Sequence, residues 1–173
     1  MSESLIPDGQ DPLTPFPGFN FFVAFHPPGG SFAPFANLPD RLVGGFSEVT
    51  GLEATMEPKV IKEGGRNYGP LQRAGTVSFS TVVLKRGVVS SRHLWAWWSL
   101  FAGGDDAPNG GWAPGSSRTD VSILLSGPAV VLGWQLKNAM PIKFRVADLN
   151  AKGTEVAIEE IHLAHEGLNM VRV

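Results

Sequence analysis

Short apolar runs, separated by glycine and proline, recur along most of this chain. Phe19–Phe25, with the sequence FNFFVAF, is rich in aromatic residues and predicts a strand that is buried on both faces. Leu42–Leu52 and Ala54–Ile61 predict further strand structure. Pro58 lies inside the second of these runs. Because proline cannot donate a backbone hydrogen bond to a neighbouring strand, it predicts a sheet edge or a bulge there.

The segment Thr76–Leu84 alternates between apolar and polar residues, as a half-buried strand does. The alternating residues are Val77, Phe79 and Val83 on the predicted apolar face and Ser78 and Ser80 on the predicted polar face. We therefore expect this strand to have one dry side and one wet side.

Three later runs also have strand character, at Arg118–Leu125, Val130–Leu136 and Ile142–Val146. Pro141 separates the last two runs. Since proline is expected to begin a new element rather than continue the old one, they predict two separate strands.

The final apolar run, Glu155–His165, changes the parity of its apolar positions halfway along. In a strand, a change of parity moves the apolar side chains to the opposite face. A bulge adds one residue and restores the original face, so the pattern predicts a bulge at Glu159 and Glu160.

Helical periodicity is convincing in only one stretch, Leu84–Ala102. Ser90 or Ser91 is expected to cap the helix start with its hydroxyl oxygen, and Gly103 and Gly104 are expected to end the helix. The apolar positions at helical spacing are Leu94, Trp95, Trp97, Trp98 and Phe101. These anchors are expected to pack one helix face against a β-structure, although a tryptophan platform for a ligand is an alternative.

The distribution of proline and glycine outlines the domain. Met1–Pro17 is polar and rich in proline, so it predicts an arm that adds nothing to the core. Residues 18–173 predict a single, mainly β domain with many turns. His26–Arg41 and the glycine-rich segment 103–117 predict two long excursions from it.

Composition narrows the range of partners. The 173 residues are 43% hydrophobic, which is enough for one domain with a sizeable core. Only 17% are charged, the net charge is −2 and no basic run is present, so nothing indicates nucleic acid or anionic lipid. The chain has no cysteine, no export signal at its start and no apolar run long enough to cross a membrane.

The candidate chemical groups do not form a recognisable site. His162 and His165 are three residues apart, a spacing that places them on opposite faces of a strand. The adjacent Glu159 and Glu160 are separated in the same way, which argues against an acid–base pair. No G-x-S-x-G motif is present, and EGGRNYG lacks the lysine of a phosphate-binding loop, so it predicts a glycine turn. We therefore predict no enzyme activity, no cofactor and no metal.

Six segments, taken in order, resemble one family. They are FNFFVAF at Phe19–Phe25, GGFSEVTGLEATME at Gly44–Glu57, EGGRN at Glu63–Asn67, LKRG at Leu84–Gly87 with the aromatic helix after it, WQLKNAMPIK at Trp134–Lys143 and AIEEIHLAHEGL at Ala157–Leu168. On these segments the chain is similar to the inner tail-tube proteins of contractile phages and of contractile injection systems, particularly the phage-derived extracellular type.

The resemblance implies a β-sandwich or barrel-like core with one flanking helix, whose strands continue between subunits into a ring barrel. It implies a structural subunit of homohexameric rings that stack into a hollow conduit. The implied partners are further copies of the chain, a contractile sheath protein, baseplate and terminator or cap proteins, and cargo in the lumen, without insertion into a membrane. The implied place of assembly is the bacterial cytoplasm, without a signal peptide, in a particle that is released or anchored inside the cell.

The resemblance also implies contacts within or between rings at the glycine turn and at the LKRG corner. The interface candidates are Glu48, Glu63, Gly64, Gly65, Arg66, Lys85, Arg86 and Gly87. We expect Lys85 and Arg86 to pair with carboxylates of a neighbouring subunit. Glu48 and Glu63 are the candidate carboxylates. The two serines of Thr76–Leu84 are expected to face the lumen.

The residues alone leave another class of protein open. A β-sandwich module that binds carbohydrate or another partner could use Trp112 or Trp134 as a sugar platform. Such a module would be monomeric, so size-exclusion chromatography separates it from a self-assembling subunit. A hydrolase with an unrecognised site is a second alternative.

Overall fold

The computed structural model of this chain describes residues 21–26, 45–90, 92–103, 118–126, 131–147 and 156–172. These residues form eleven strands and one helix. The strands are β1 (Phe21–His26), β2 (Glu48–Thr50), β3 (Ala54–Met56), β4 (Lys59–Ile61), β5 (Leu71–Arg73), β6 (Val77–Phe79), β7 (Val82–Gly87), β8 (Thr119–Ser126), β9 (Val131–Val146), β10 (Ile158–Ala164) and β11 (Gly167–Arg172), and the helix is α1 (His93–Ala102). The prediction of a mainly β fold with one helix is confirmed.

Seven strands form the main sheet, in which all neighbouring strands are antiparallel. Its order is β1-β8-β9-β10-β7-β2, and β11 also pairs with β9. The first half of β9 lies between β8 and β11, so that Trp134 is opposite both Ile123 and Met170. The second half of β9 pairs with β10, where Arg145 is opposite Glu160. One long strand therefore joins the two halves of the sheet.

Strand β9 is continuous, so the prediction of two strands divided at Pro141 is wrong. Two irregularities keep the strand unbroken. Asn138 has a positive φ of 50° where the register with β8 slips. Farther along, the pairing with β10 passes from Pro141 directly to Lys143 and skips Ile142. A bulge interrupts the ladder of hydrogen bonds anyway, so a proline that lacks an N–H group is tolerated beside it.

Two other strand predictions also need correction. In β1, Val23 and Phe25 are buried while Phe22 is 42% exposed, so one face of this outermost strand is buried and the other is partly exposed. In β10, Glu159 is buried in regular alternation with Ile161, and the pairing with β7 is regular at this point. The bulge expected at Glu159 and Glu160 is absent from β10. The alternation of apolar residues was misleading here, because the carboxylate of Glu159 occupies an inward-facing position where the pattern predicts an apolar side chain.

The predicted strand Thr76–Leu84 is divided between β6 and β7. In β7 the buried side chains are those of Val82, Leu84 and Arg86, and Val83 faces the other way. Val77 of β6 is 48% exposed. The predicted dry face is therefore not the face that meets the core.

Helix α1 ends at Gly103 as predicted, with a φ of 78° and its N–H donating to the Ser99 carbonyl at 3.0 Å. The serine cap is wrong, because the N-cap position is Arg92 and no side chain caps it. Ser91 lies outside the described residues. The predicted anchors are unequal: Leu94 is buried, Trp97 packs on the core cluster, Trp98 and Phe101 are half-buried and Trp95 is 42% exposed.

The core lies between one face of the main sheet and helix α1. Its buried members are Val23, Phe25, Phe46, Val82, Leu84, Leu94, Val121, Ile123, Leu136, Ala139, Ile161 and Leu163. Trp97 packs edge-on against Phe25, with ring centroids 5.6 Å apart. Most of these residues come from strands far apart in sequence, so the core forms only when the sheet is assembled.

Candidate assembly surfaces

A two-stranded ribbon, Glu53–Ser80, extends from the β2–β7 edge of the main sheet. Its inner rung, Ala54 opposite Phe79, continues the register of β2 and β7. Farther out, Lys59 is opposite Arg73. Between the two parts of the ribbon, the three steps from Met56 to Lys59 lie opposite the four steps from Arg73 to Val77. The extra residue makes a β-bulge. Pro58 lies at this place, so the prediction of an edge or bulge there is confirmed.

Glycines allow the two strands of the ribbon to approach closely. Gly51, at the base, has a φ of 85°, and a Cβ there would lie 2.1 Å from the Thr81 carbonyl oxygen. A Cβ on Gly75, at the bulge, would lie 1.9 Å from the Glu57 carbonyl oxygen. Larger residues at either position would push the strands apart.

The ribbon projects away from its own chain. Seven residue steps separate the rung at Ala54 from the rung at Ile61, which at about 3.3 Å per residue is roughly 23 Å along the strand. Within the ribbon, residues 53–60, 62–70 and 72–78 are all exposed. Its base is held by Phe79, whose ring lies 5.2 Å from the His165 ring. The outer ribbon therefore has almost no cover from the described part of the chain.

The inner part of the ribbon has one apolar and one polar face. The apolar face carries Ala54, Met56, Val77 and Phe79, and the polar face carries Thr55 and Ser78. Met56 and Val77 face each other and are 50% and 48% exposed, respectively. The alternation predicted from the sequence is present, but its apolar side is uncovered. Ser80 lies at the base of the ribbon, and the role of the serines in a lumen stays a prediction.

The tip of the ribbon carries four of the predicted interface residues, Glu63, Gly64, Gly65 and Arg66. Gly65 has a φ of 84°, as expected of a turn that requires glycine. Arg66 and Glu63 approach to 4.0 Å, but both side chains are about half exposed, so solvent screens the pair. All four residues are accessible to another chain, and their role as contacts stays a prediction.

The other interface candidates find partners within the chain. Lys85 of β7 donates to Glu48 of β2 at 3.0 Å. These two residues belong to a row that continues across β10 and β9 with Glu160 and Arg145, so the charges alternate over four strands. Arg145 lies 3.5 Å from Glu160. The row neutralises itself without a neighbouring subunit.

Arg86 points to the opposite side of β7, into the interior. Its Nε donates to Glu159, and the two side chains are only 7% and 9% exposed. The guanidinium carbon also lies 5.7 Å from the centre of the Phe46 ring. Gly87 follows it at the end of the strand. The partner expected from a neighbouring subunit is thus supplied by β10 of the same chain.

A polar network braces the irregularity at Asn138. The buried Asp120 carboxylate accepts from Lys137 Nζ at 2.7 Å and from the Asn138 backbone N–H at 2.9 Å. The Asn138 side chain donates to Glu166 at 2.9 Å, and Arg118 also pairs with Glu166. The hydrogen bond from Asn138 and, to a smaller extent, the positive charge of Arg118 lower the pKa of Glu166. The sequence analysis did not predict this network, although Asp120, a charged residue inside an apolar strand, indicated it.

A group of exposed apolar residues missed by the sequence reading lies at the end of the main sheet opposite the ribbon. Its members are Val88, Val89, Val146, Val156 and Ile158, which are 46%, 51%, 44%, 75% and 40% exposed. The chain joins them closely: the Val88 N–H donates to the Ala157 carbonyl at 2.8 Å, and the Ala147 N–H donates to the Ile158 carbonyl at 2.8 Å. Ile158 and Val146 lie on opposite faces of the sheet, because Val146 is opposite the inward-facing Glu159, so these side chains surround the end of the sheet and do not form one surface.

The described residues do not resemble a catalytic or sugar-binding centre. They contain no group of three histidine, aspartate or glutamate residues that could hold a metal ion. The described residues that line a depression of about 430 Å³ beside α1 all come from that helix and its N-cap, and they include Trp95 and Trp97. Trp134 is half-buried between two strands of the sheet, and Trp112 lies outside the described residues. No helix among these residues is long and apolar enough to span a membrane.

Comparison with known proteins identifies similar chains. The sequence profile of the family described as T4-like virus tail tube protein gp19 matches residues 17–169. A structure of the anti-feeding prophage baseplate contains a chain that is 25% identical over 91% of this chain and 96% of its own length, with a TM-score of 0.67. No curated protein matches this chain significantly.

Two further structures have the same fold at lower identity. A chain of the sheath–tube complex of the PVC extracellular contractile injection system is 20% identical, with 92% of this chain and 93% of that chain covered and a TM-score of 0.68. A chain of the tube-terminating cap of the anti-feeding prophage is 18% identical, with coverage of 99% and 100% and a TM-score of 0.68.

Proposed function

This chain belongs to the T4-like virus tail tube protein family, and on that premise we propose that it forms the inner tube of a contractile injection system or phage tail. The family is one of structural proteins, not of enzymes. In the proposed assembly, six copies form a ring and the rings stack into a hollow conduit for cargo.

The observation that carries the proposal is the ribbon. Met56 and Val77 form an apolar rung that is about half exposed, on a ribbon whose paired part is roughly 23 Å long. A two-stranded ribbon is at best marginally stable in water by itself, and an uncovered apolar face on it indicates a binding partner. A self-assembling subunit supplies such a partner in every neighbouring copy.

Closure of the ring is supported by the edges of the main sheet. Among the described residues, β1 and β2 are the terminal strands of the sheet, and each pairs on one side only. Unpaired strand edges recruit further strands. If the β1 side of one copy meets the β2 side of the next, a head-to-tail contact arises that closes into a ring when the rotation allows it.

The partners of the tube follow from its place in a particle. The similar structures come from a sheath–tube complex, a baseplate and a tube cap. We place this subunit inside a contractile sheath, between a baseplate and a terminator, with cargo in its lumen. We also place its assembly in the bacterial cytoplasm, with residues 18–173 as the folding unit and residues 1–17 as a dispensable arm.

Light scattering coupled to size-exclusion chromatography, together with negative-stain microscopy, tests the proposal. The wild-type chain is expected to associate with increasing concentration and to form rings or tubes, more readily with baseplate proteins that nucleate them. A variant in which residues 53–80 are replaced by a short Asn-Gly hairpin should keep the sheet but no longer form tubes. A wild-type chain that stays monomeric at high concentration, even with baseplate proteins, would favour the carbohydrate-binding alternative.

A further inference from the structure

Met56 is the one sulfur-containing side chain of the ribbon, and it lies on the apolar face, where it is 50% exposed. The chain has no cysteine, and Met140 and Met170 are the other methionines among the described residues. We propose that Met56 is an oxidation site and that its conversion to the sulfoxide keeps a free subunit out of the tube. This inference rests on the proposed tube function and adds to it a chemical control on assembly.

The thioether of Met56 is open to small oxidants in the free subunit. All three residues of β3 are exposed, and Val77, which is opposite Met56, is itself 48% exposed. Hydrogen peroxide is the oxidant: the sulfur lone pair forms an S–O bond as the O–O bond breaks, and the second oxygen leaves as water with both protons. The sulfur loses two electrons and the peroxide gains them, so the step needs no further reactant.

The free subunit tolerates the sulfoxide because water solvates it. Ala54, Val77 and Phe79 are the other side chains on the apolar face of the inner ribbon, and none of them carries a hydrogen-bond donor. The new oxygen atom therefore accepts hydrogen bonds from water and not from these neighbours. Since Met56 is already half exposed, its oxidation leaves the fold of the subunit unchanged.

Assembly removes the water that solvates the sulfoxide. A neighbouring copy that covers Met56 and Val77 replaces this water with protein surface, and a polar oxygen buried without a hydrogen bond costs free energy. The unoxidised thioether has no such cost, because it is apolar and adapts to irregular surfaces. We expect oxidation of Met56 to lower the amount of tube formed at a given protein concentration by about tenfold or more.

A sorting experiment on the wild-type chain tests the inference without any substitution. Dilute subunits are treated with hydrogen peroxide until Met56 is partly oxidised, the peroxide is removed with catalase, and assembly is started with baseplate proteins. Sedimentation separates tubes from free subunits, and mass spectrometry measures the sulfoxide at each methionine in both fractions. Met170 is the internal control, because it is 68% exposed and lies on β11, outside the ribbon.

The distribution of the sulfoxides between the two fractions gives the answer. Met56 sulfoxide should be depleted about tenfold in the tubes relative to the free subunits, whereas Met170 sulfoxide should be distributed evenly. Equal shares of Met56 sulfoxide in both fractions, or depletion of Met170 sulfoxide alone, would overturn the inference. If untreated wild-type protein forms no tubes with baseplate proteins, the proposed tube function itself is wrong.

Matched substitutions provide a second measurement. Met56→Leu keeps an apolar side chain without the sulfur, so its assembly should withstand peroxide, whereas Met170→Leu should remain as sensitive as the wild type. Met56→Gln imitates the sulfoxide with an amide and should reduce the yield of tubes without any oxidant, while Met170→Gln should assemble normally. A Met56→Leu protein that loses assembly to peroxide as readily as the wild type would place the sensitive site elsewhere.

Reduction of the sulfoxide provides the last test. The two methionine sulfoxide reductases, one for each epimer, convert the sulfoxide back to the thioether. Oxidised wild-type subunits treated with both enzymes should recover the tube yield of the untreated protein. A yield that stays low after mass spectrometry shows Met56 to be fully reduced would mean that peroxide acts through another residue, and the inference would be wrong.

Discussion

The main sheet and the ribbon differ in whether their apolar face is buried. In the main sheet, Leu84 and Ile161 are fully buried, and even the charged Arg86 and Glu159 face inward as a pair. In the ribbon, every residue of β3 is exposed, although the same alternation of apolar and polar side chains is present. Alternation therefore shows which side chains share a face, but not whether that face is covered. The sheet is stabilised within one chain, and the ribbon is suited to a contact between chains.

The largest effect on stability is expected from breaking the buried pair of the main sheet. Arg86→Ala leaves Glu159 buried without its partner, which should cost about 3–5 kcal/mol of unfolding free energy. Urea denaturation followed by circular dichroism measures this change. The neighbouring Lys85→Ala removes a pair exposed to solvent and should cost less than about 1 kcal/mol. Equal effects of the two variants would show that Arg86 is not a structural residue.

The next largest effect is expected at the network that braces β9. Asp120→Ala removes the acceptor of the Lys137 ammonium and of the Asn138 backbone N–H, which should cost about 1–3 kcal/mol. Glu166→Ala, at the exposed end of the network, should be milder. Thermal unfolding of both variants makes the comparison. An Asp120→Ala protein as stable as the wild type would mean that the irregularity in β9 needs no side-chain support.

A smaller effect concerns pH and the charged row on the outer face of the sheet. Burial opposes ionisation of Glu160, but the hydrogen bond with His162 and the charge of Arg145 outweigh it and lower its pKa below the ordinary 4.5. A carboxylate whose pKa is lowered by folding stabilises the protein above its ordinary pKa, and this contribution is lost as the pH falls through the lower folded-state value.

Glu160→Gln removes this contribution and provides its test. The loss of stability between pH 6 and pH 3, measured by urea denaturation, should be smaller in the variant than in the wild type. His162 and Arg145 remain in the variant, so the difference isolates the carboxylate. Identical pH profiles would show that the row adds nothing to folding.

The smallest effect on the single chain is expected in the ribbon. The double variant Met56→Ser/Val77→Ser should change the unfolding free energy of the dilute monomer by less than about 0.5 kcal/mol, because both side chains are already about half exposed. The same variant should lose tube assembly, as judged by sedimentation. Ser78→Ala, on the polar face, should change neither property. A clear loss of monomer stability would show that the ribbon packs on its own subunit.

Much of the local structure could be predicted from the sequence, because it depends on neighbouring residues. The helix end at Gly103, the glycine turn at Gly65 and the bulge beside Pro58 all follow from backbone preferences. The serine cap failed because the helix begins after Arg92. The candidate interface was predicted only in part: the ribbon tip is accessible, whereas Arg86 is enclosed by its own chain.

The sequence by itself determined that this is a strand-rich chain with one helix, and its motifs determined the tail-tube family. Only the tertiary structure decided that β9 passes Pro141 without a break, that Glu159 faces inward to meet Arg86, and that Val156 is largely exposed. The physical reason is that a residue's preference for strand or turn is local, whereas its neighbour on the next strand comes from anywhere in the chain. A buried charge or a bare valine is recognised only once that neighbour is known.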